Sequence, residues 1–288
     1  MSNRTLPARS AEHAATLRAL AAADDAPLLL PNAWDAGSAA VIAAAGAAAI
    51  ATTSGGVSWS AGRGDGQGLD RAAMAEAVRR IAAAVDVPVT ADVEGGYGPA
   101  PEDVAETVRA VVAAGAVGVN LEDSAAPGGP LFTVAEQSAR LRAARTAAAE
   151  AGLPGLLVNA RTDVHLFGVG PADGRPAEVL RRAEAYAAAG ADSLFVPGLL
   201  DLAALKELTA ASPLPVNAMA VPGGPTVAEL AAAGVRRISL GTALAQAAYT
   251  AAHRAATELL GTGTYGALSG ALDYGTLNGL LAGRRPGH

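Results

Sequence analysis

Carboxylates recur at the ends of apolar runs in this chain. Asp92 and Glu94 close "VPVTADVEGG", Glu122 and Asp123 close "AVGVNLED", and Asp65 sits in the loop "WSAGRGDGQG". Such groups either move protons or hold a hard cation. Four of them, Asp65, Asp92, Glu94 and Glu122, meeting at one mouth would repel each other strongly unless some kept their protons. A shared divalent cation removes that conflict. With no cysteine in the chain and no histidine pair near these acids, oxygen ligation favours Mg2+ over zinc, with Mn2+ as the alternative. Mg2+ releases its waters reluctantly, so one or two carboxylates should bind it directly and the others through water. Strand alternation places Asp92 and Glu94 on the same side. The competing reading is an acidic, glycine-marked turn at a sheet edge.

Arg161, in "NARTD", is the matching cation. Its planar fork suits a carboxylate or a phosphonate, unless it is spent on a structural ion pair with Asp163 or Glu122. Ser54, Gly55 and Gly56, in "TTSGG", offer backbone N–H groups unobstructed by side chains, suited to a second substrate oxygen or simply to a tight turn. Asn120, Asn159 and Asn217 are further polar groups near strand ends. The single lysine, Lys206, lies in "DLAALKELTAA" with helical spacing, on an expected outer helix, which argues against imine chemistry. A cysteine nucleophile is excluded outright.

To position such residues the chain must alternate strands and helices, and it does. Strand-length apolar runs occur at 27–33, 47–53, 87–93, 116–123, 155–162, 191–198, 213–220 and 235–241. Segments of helical length lie between them at 36–45, 69–84, 101–114, 134–151, 176–189, 201–211 and 226–233. Five of these end at Gly46, Gly115, Gly152, Gly190 and Gly234, each suited to a left-handed cap, while Pro101 and Pro176 suit first turns. The pattern predicts a parallel (β/α)8 TIM-type barrel, whose catalytic groups come from the C-terminal ends of its strands. The rival open sheet lacks its glycine-rich dinucleotide fingerprint. Residues 1–241 form the expected barrel core. Residues 242–288 form a helical extension of the same domain, with Tyr249, Tyr265, Leu268, Leu272 and Tyr274 as apolar anchors that a neighbouring subunit could cover.

Composition narrows the classes. Hydrophobic residues make up 51% and charged residues 17% of 288, enough for a large core. The net charge of −6 and the lack of a basic run argue against a nucleic-acid partner. The alanine- and glycine-rich stretch around Gly46 reads as two buried elements rather than a membrane span, and no signal peptide is evident, so a cytoplasmic protein is expected.

The ordered motifs "NAWDAGSA", "TSGG…GDG", "DVEGGYG", "NLED" and "NART" resemble those of the isocitrate lyase/phosphoenolpyruvate mutase superfamily. The resemblance runs through "NARTD" and more loosely beyond. It implies a modified barrel whose last helix is exchanged between subunits of a homodimer or homotetramer, and an Mg2+ site beneath a small-molecule α-oxo acid or enolpyruvate. By position, Asp92 resembles the direct metal ligand, and Asp65, Glu94 and Glu122 resemble the residues holding its waters. Asp65, Arg161 and Glu122 are thereby the catalytic candidates; Ser54, Gly55, Gly56 and Arg161 resemble the substrate-anion binders, with Asn120 and Asn217 in the same pocket.

Departures from the family are informative. The lyase cysteine loop is replaced by "SAAPGGPLFT", whose residues 124–132 form an expected lid with Ser124 as its only reactive side chain. The mutase histidine after the sixth strand is replaced near Pro197. His165, just past Arg161, reads as a loop residue that could approach the site. The expectation is therefore an Mg2+-dependent enzyme acting on a C–C or P–C bond next to a pyruvate unit, oxaloacetate decarboxylation being the simplest case. The alternatives are phosphoenolpyruvate/phosphonopyruvate mutation, a phosphate-gripping barrel using the turn at Gly241, and a barrel that serves only binding or assembly.

Overall fold

The computed structural model describes residues 6–23, 25–126 and 128–282. The two chain ends expected within the barrel core and its extension, and Pro127 of the expected lid, lie outside the described residues. The strands are β1 (Leu28–Leu30), β2 (Asn32–Ala33), β3 (Ile50–Thr52), β4 (Val89–Asp92), β5 (Gly118–Glu122), β6 (Leu157–Arg161), β7 (Ser193–Phe195), β8 (Val216–Met219) and β9 (Arg237–Ser239). All pair in parallel, in the order β1-β9-β8-β7-β6-β5-β4-β3-β2.

The expected first strand is broken at Pro31, which has no N–H to give to a ladder. The half before it pairs with β9 and the half after it with β3. One stretch of chain thus reaches both neighbours, and the nearly closed barrel is joined through the proline. The seven other expected strands are present, each shorter than its apolar run because the flanking residues turn out of the ladder.

Helices follow the strands as the spacing predicts, at Ala36–Ala44, Arg71–Ala83, Pro101–Ala113, Val134–Glu150, Arg175–Ala188, Leu202–Ala211 and Val227–Ala232. The five capping glycines all take left-handed φ, between 79° and 101°. Lys206 is exposed on its outer helix.

Two helices are additional to the sequence reading. Leu6–Ala22 packs Leu17 onto Gly118, and its Arg18 donates to the Gly155 and Leu156 carbonyls at 2.7 and 3.0 Å. It covers the N-terminal ends of strands, and its weak amphipathic pattern hides it in the sequence. Ser54–Ser60 begins where a tight turn was expected.

Inside and outside differ sharply. On β5, Val119 and Leu121 face the helices and are fully buried, whereas Asn120 borders the barrel interior. A barrel lumen filled by branched aliphatic layers is usual; this one carries Asn32, Thr52, Thr90, Asn120, Asn159 and Asn217.

Beyond the barrel lie Ala243–Thr262, a 3-10 turn at Gly266–Leu268 and Tyr274–Ala282. The Glu258 carboxylate fixes the corner by accepting from the Gly266 and Ala267 N–H groups at 2.8 and 2.7 Å. The expected anchors Tyr249, Tyr265, Leu268, Leu272 and Tyr274 are all exposed, as are Leu259 and Leu260. Among the described residues, no helix is long and apolar enough to cross a membrane.

Candidate active site

Asp92 ends β4 with its carboxylate fixed from two sides. Oδ2 accepts from the Ser54 N–H at 3.1 Å, and Oδ1 accepts from Asn120 Nδ2 at 3.0 Å. Its own N–H donates to Thr52 Oγ1 at 2.8 Å. Asn120 Oδ1 in turn accepts from Asn159 Nδ2 at 3.0 Å, and Asn159 Oδ1 from Ser193 Oγ at 2.6 Å. Asp92, Asn120, Asn159 and Ser193 are register partners on β4 to β7. In-register parallel strands turn matching residues to the same face, so the sheet builds this relay directly. Asn159 was read only as a polar group near a strand end, and Ser193 and Thr52 were not read as site residues; their signal is the polar residue alternating with apolar ones inside a buried strand.

Glu94 corrects the alternation argument. β4 stops at Asp92, and Glu94 lies past it in the left-handed region, at φ 49°. Its side is set by the turn rather than by strand pleat. Tyr97 OH donates to Glu94 Oε1 at 3.1 Å, and the Gln67 N–H donates to Oε2. Burial, aided by the charge of Asp92, pushes Glu94 up to about 7.

The loop after it is clamped by Arg140, which is fully buried on the helix Val134–Glu150. Arg140 donates to the carbonyls of Gly95, Gly98 and Pro99, and its guanidinium stacks 4.1 Å from the Phe132 ring. Gly98 has no room for a side chain: a Cβ would lie 2.3 Å from the Asp103 carboxylate. The glycines at this strand end therefore serve loop geometry.

The "SGG" reading also changes. Gly55 and Gly56 begin a helix and do not border the cavity. A Cβ on Gly55 would meet Thr242 at 2.7 Å, and one on Gly56 would meet Trp34 at 2.8 Å. Close packing requires these glycines. The Ser54 amide, expected for substrate, is committed to Asp92 here, although Ser54 itself borders the cavity.

Arg161 sits between two carboxylates. Nη1 meets Glu122 Oε2 at 2.8 Å, and Nε donates to Asp163 Oδ1 at 2.6 Å. Both ion pairs weighed against substrate binding thus form, yet Arg161 also borders the cavity. Burial pushes Glu122 up to about 8; Arg161 pulls it down, and Asp163, Asp92 and Glu94 add to the rise. Burial disfavours the Arg161 charge too, but the surrounding carboxylates hold its proton above the ordinary value. Since arginine keeps its proton, the group carries more acid than cation.

Behind this pair both oxygens of Asp123 are saturated. Asp123 Oδ2 accepts from Arg182 Nη1 at 2.9 Å and from Tyr186 OH at 2.8 Å, while Oδ1 accepts from the Asp163 N–H at 3.0 Å. Ser124, the expected reactive lid residue, is buried and donates to Asp163 Oδ2 at 2.5 Å. His165 is half-buried and does not border the cavity, though its neighbour Leu166 does. Pro197 is buried.

The cavity, of about 240 Å3, opens among these strand ends. Asp65, Asp92, Arg161, Asn120, Asn217, Phe195 and Gly241 border it; Glu94 and Glu122 do not. Among the described residues, no three Asp, Glu, His or Cys side chains gather into a ready-made metal cage. The four acids stand within electrostatic reach of one another without sharing one point. Arg237, unremarked in the sequence, also borders the cavity, with Ser239 two residues on along the inward face of β9. Burial lowers its guanidinium to about 10, partly offset by Asp92.

Comparison with known proteins agrees with this architecture. The family model described as phosphoenolpyruvate phosphomutase matches residues 17–260. An uncharacterized protein of Mycobacterium tuberculosis is 39% identical over 230 residues, spanning 80% of this chain and 83% of that protein. An oxaloacetate decarboxylase of Rhodopseudomonas palustris is 35% identical over 161 residues, spanning 54% of this chain and 51% of its own. Among solved structures, a putative lyase/mutase from Burkholderia cenocepacia superposes with a TM-score of 0.87 at 38% identity, covering 95% of this chain and 98% of its own. An oxaloacetate acetylhydrolase in complex with oxalate superposes with a TM-score of 0.84 at 26% identity, covering 94% of both. With the barrel, the carboxylate-bearing strand ends and these matches in agreement, the chain belongs to the phosphoenolpyruvate phosphomutase family and is an enzyme of the lyase and mutase type within the isocitrate lyase/phosphoenolpyruvate mutase superfamily.

Proposed function

We propose that this enzyme cleaves the carbon–carbon bond next to the pyruvate unit of an α-oxo acid with the aid of Mg2+, as in oxaloacetate decarboxylation. The observation that carries the reading is Asp92, oriented by Ser54 and Asn120 at the wall of a cavity that Arg161 and Asn217 also border. The donor set fits the ion. Oxygen donors alone face the cavity from its acids, and the neighbouring carboxylates Asp92 and Asp65, whose charges add to the burial that pushes Glu94 up to about 7, call for a small hard cation that keeps its waters. Asp92 would hold it directly, Asp65, Glu94 and Glu122 would hold its waters, and Mn2+ could replace it. When bound, the ion supplies Lewis acidity at the oxo-acid oxygens.

The chain's own part is to bind, orient and exclude water. Arg161 and the Ser54 hydroxyl take the substrate carboxylate, the Ser54 amide being held by Asp92, and Asn217 presents its amide from the facing wall. Phe195 and Leu166 contribute apolar cover at the cavity. Among the described residues, no lysine or histidine borders the cavity, and the chain has no cysteine. Release of carbon dioxide asks least of such a wall, because the departing carboxylate surrenders no proton to the protein and the pyruvate enolate left behind takes its C3 proton from water once the bond has broken. An aldol-type cleavage needs a base for a hydroxyl proton, and only Asp65 and Asp92 border the cavity as carboxylates. The oxaloacetate decarboxylase among the relatives supports the same direction, and the acetylhydrolase supports the same substrate class. We take the exposed apolar face after Thr242 to be covered by a second copy in a dimer or tetramer acting in the cytoplasm.

The test is a substrate panel of oxaloacetate, phosphonopyruvate, phosphoenolpyruvate and methylisocitrate, with Mg2+ and then with EDTA. Oxaloacetate should give pyruvate above the Mg2+-only background, and EDTA should abolish the excess. Turnover of phosphonopyruvate alone would replace decarboxylation by the mutase reaction, and no pyruvate from any of them would overturn the reading.

A further inference from the structure

Among the described residues, three buried polar groups bordering the cavity have no partner. They are the Nε and Nη1 of Arg237, the Oδ1 of Asn217 and the Oγ1 of Thr90. Arg237 is 6% exposed and Asn217 1%. The two are register partners on β9 and β8, so they stand side by side on the inner face. A buried guanidinium without an acceptor is among the costliest groups a fold can carry. Asp92, the carboxylate whose charge acts on it, makes no hydrogen bond with it; its oxygens accept from Ser54 and Asn120.

Arg237 also borders a smaller cavity of about 180 Å3 at the opposite ends of the strands. The arginines there are engaged: Arg18 with Asp192 and the carbonyls of Gly155 and Leu156, Arg236 with the Ala23 carbonyl. Asn217 and Thr90, the other two of these residues with unpartnered atoms, border only the cavity that holds Asp92.

We propose that Arg237, with the Asn217 amide beside it, is a carboxylate-binding subsite in the inner wall of the cavity, through which the enzyme selects dicarboxylic oxo acids over monocarboxylic ones. This deepens the oxo-acid reading and rests on it. Arg161 enters from β6 and Arg237 from β9, three strands round the barrel, so two carboxylates of one short substrate meet separate cations. The forked N–H pair of arginine matches a carboxylate in a way a point charge does not. Thr90 Oγ1 supplies one more hydroxyl at the same wall.

Calorimetric titration in EDTA tests the subsite without turnover, using succinate and butyrate as four-carbon probes that differ by one carboxylate. Wild-type protein should bind succinate at least about tenfold more tightly than butyrate. Arg237→Met should bring the two within about threefold, and Arg237→Lys should fall between, keeping the charge but losing the fork. Arg237→Met removes an unpaired buried charge, so its melting temperature should not fall, and folding does not confound the result. Equal binding of both probes by wild type, or full discrimination retained by Arg237→Met, overturns the subsite. So does an Arg237→Met whose Mg2+ affinity, read in a separate titration without EDTA, changes while its preference for succinate does not, which would make Arg237 a mere counter-charge to Asp92. Neither probe is turned over and no metal is present, so a failed decarboxylation assay sinks the oxo-acid reading separately.

Discussion

Two polar clusters lie one residue apart at the end of β5, built from the same kinds of side chain, and they differ in completeness. Around Asp123 the carboxylate itself is answered: Arg182, Tyr186 and the Asp163 amide saturate its two oxygens, although burial still pushes Asp123 up and the neighbouring Thr162 hydroxyl stays unpartnered. Around the cavity the accounts stay open. Asn217, Thr90 and Arg237 carry unpartnered atoms, and Glu94 and Glu122 are pushed up by burial and by neighbouring carboxylates. A closed network inside a protein rigidifies a fold; an open one is costly and persists where something else completes it. The difference distinguishes scaffold from site more sharply than residue type does.

Breaking each cluster separately should show this. The largest effect is expected for Asp92→Ala, which should reduce oxo-acid turnover to background and abolish Mg2+ binding while leaving the melting temperature nearly unchanged; kinetics and metal titration on one preparation check it. Asp123→Ala should do the reverse, costing about 3–5 kcal/mol because Arg182 loses its buried carboxylate. Chemical denaturation measures that loss, and Mg2+ affinity of the surviving folded fraction should be retained. If Asp123→Ala instead removed metal binding at full stability, the division between the clusters would fail.

Smaller changes sharpen the boundary. Arg161→Ala should raise KM by roughly 30-fold, about 2 kcal/mol for a charge-assisted contact, and an unchanged KM would assign Arg161 to its ion pairs alone. Arg140→Met should lower the melting temperature and weaken Mg2+ binding modestly, since it frees the carbonyls of Gly95, Gly98 and Pro99 behind Glu94. Ser124→Ala should cost about 1 kcal/mol through its lost bond to Asp163. Its kinetic constants should stay within about twofold; a larger loss of turnover would make Ser124 part of the chemistry.

The outline of the fold was legible because its signals are local. A glycine cap is a property of one residue and its helix, and Gly46, Gly115, Gly152, Gly190 and Gly234 each mark a turn back into a strand. Pro101 likewise marks a first turn. The break at Pro31 was half-visible: proline forbids a ladder bond, but which neighbour each half joins depends on the ring. The helix Leu6–Ala22 escaped notice because it has little amphipathic contrast and gains its place by covering strand ends.

The site divides along the same line. Sequence alone determined which acids end which strands and that no cysteine could serve, since types and order survive in any fold. Only tertiary structure decided that Glu94 reaches its place through a left-handed turn, that Gly55 and Gly56 are there for Thr242 and Trp34, and that Arg161 is shared between Glu122 and Asp163. It alone decided that Arg237, written in an apolar run, ends in the barrel without a partner. Hydrogen bonding and desolvation depend on which distant strands stand side by side, and that register arises only when the barrel closes.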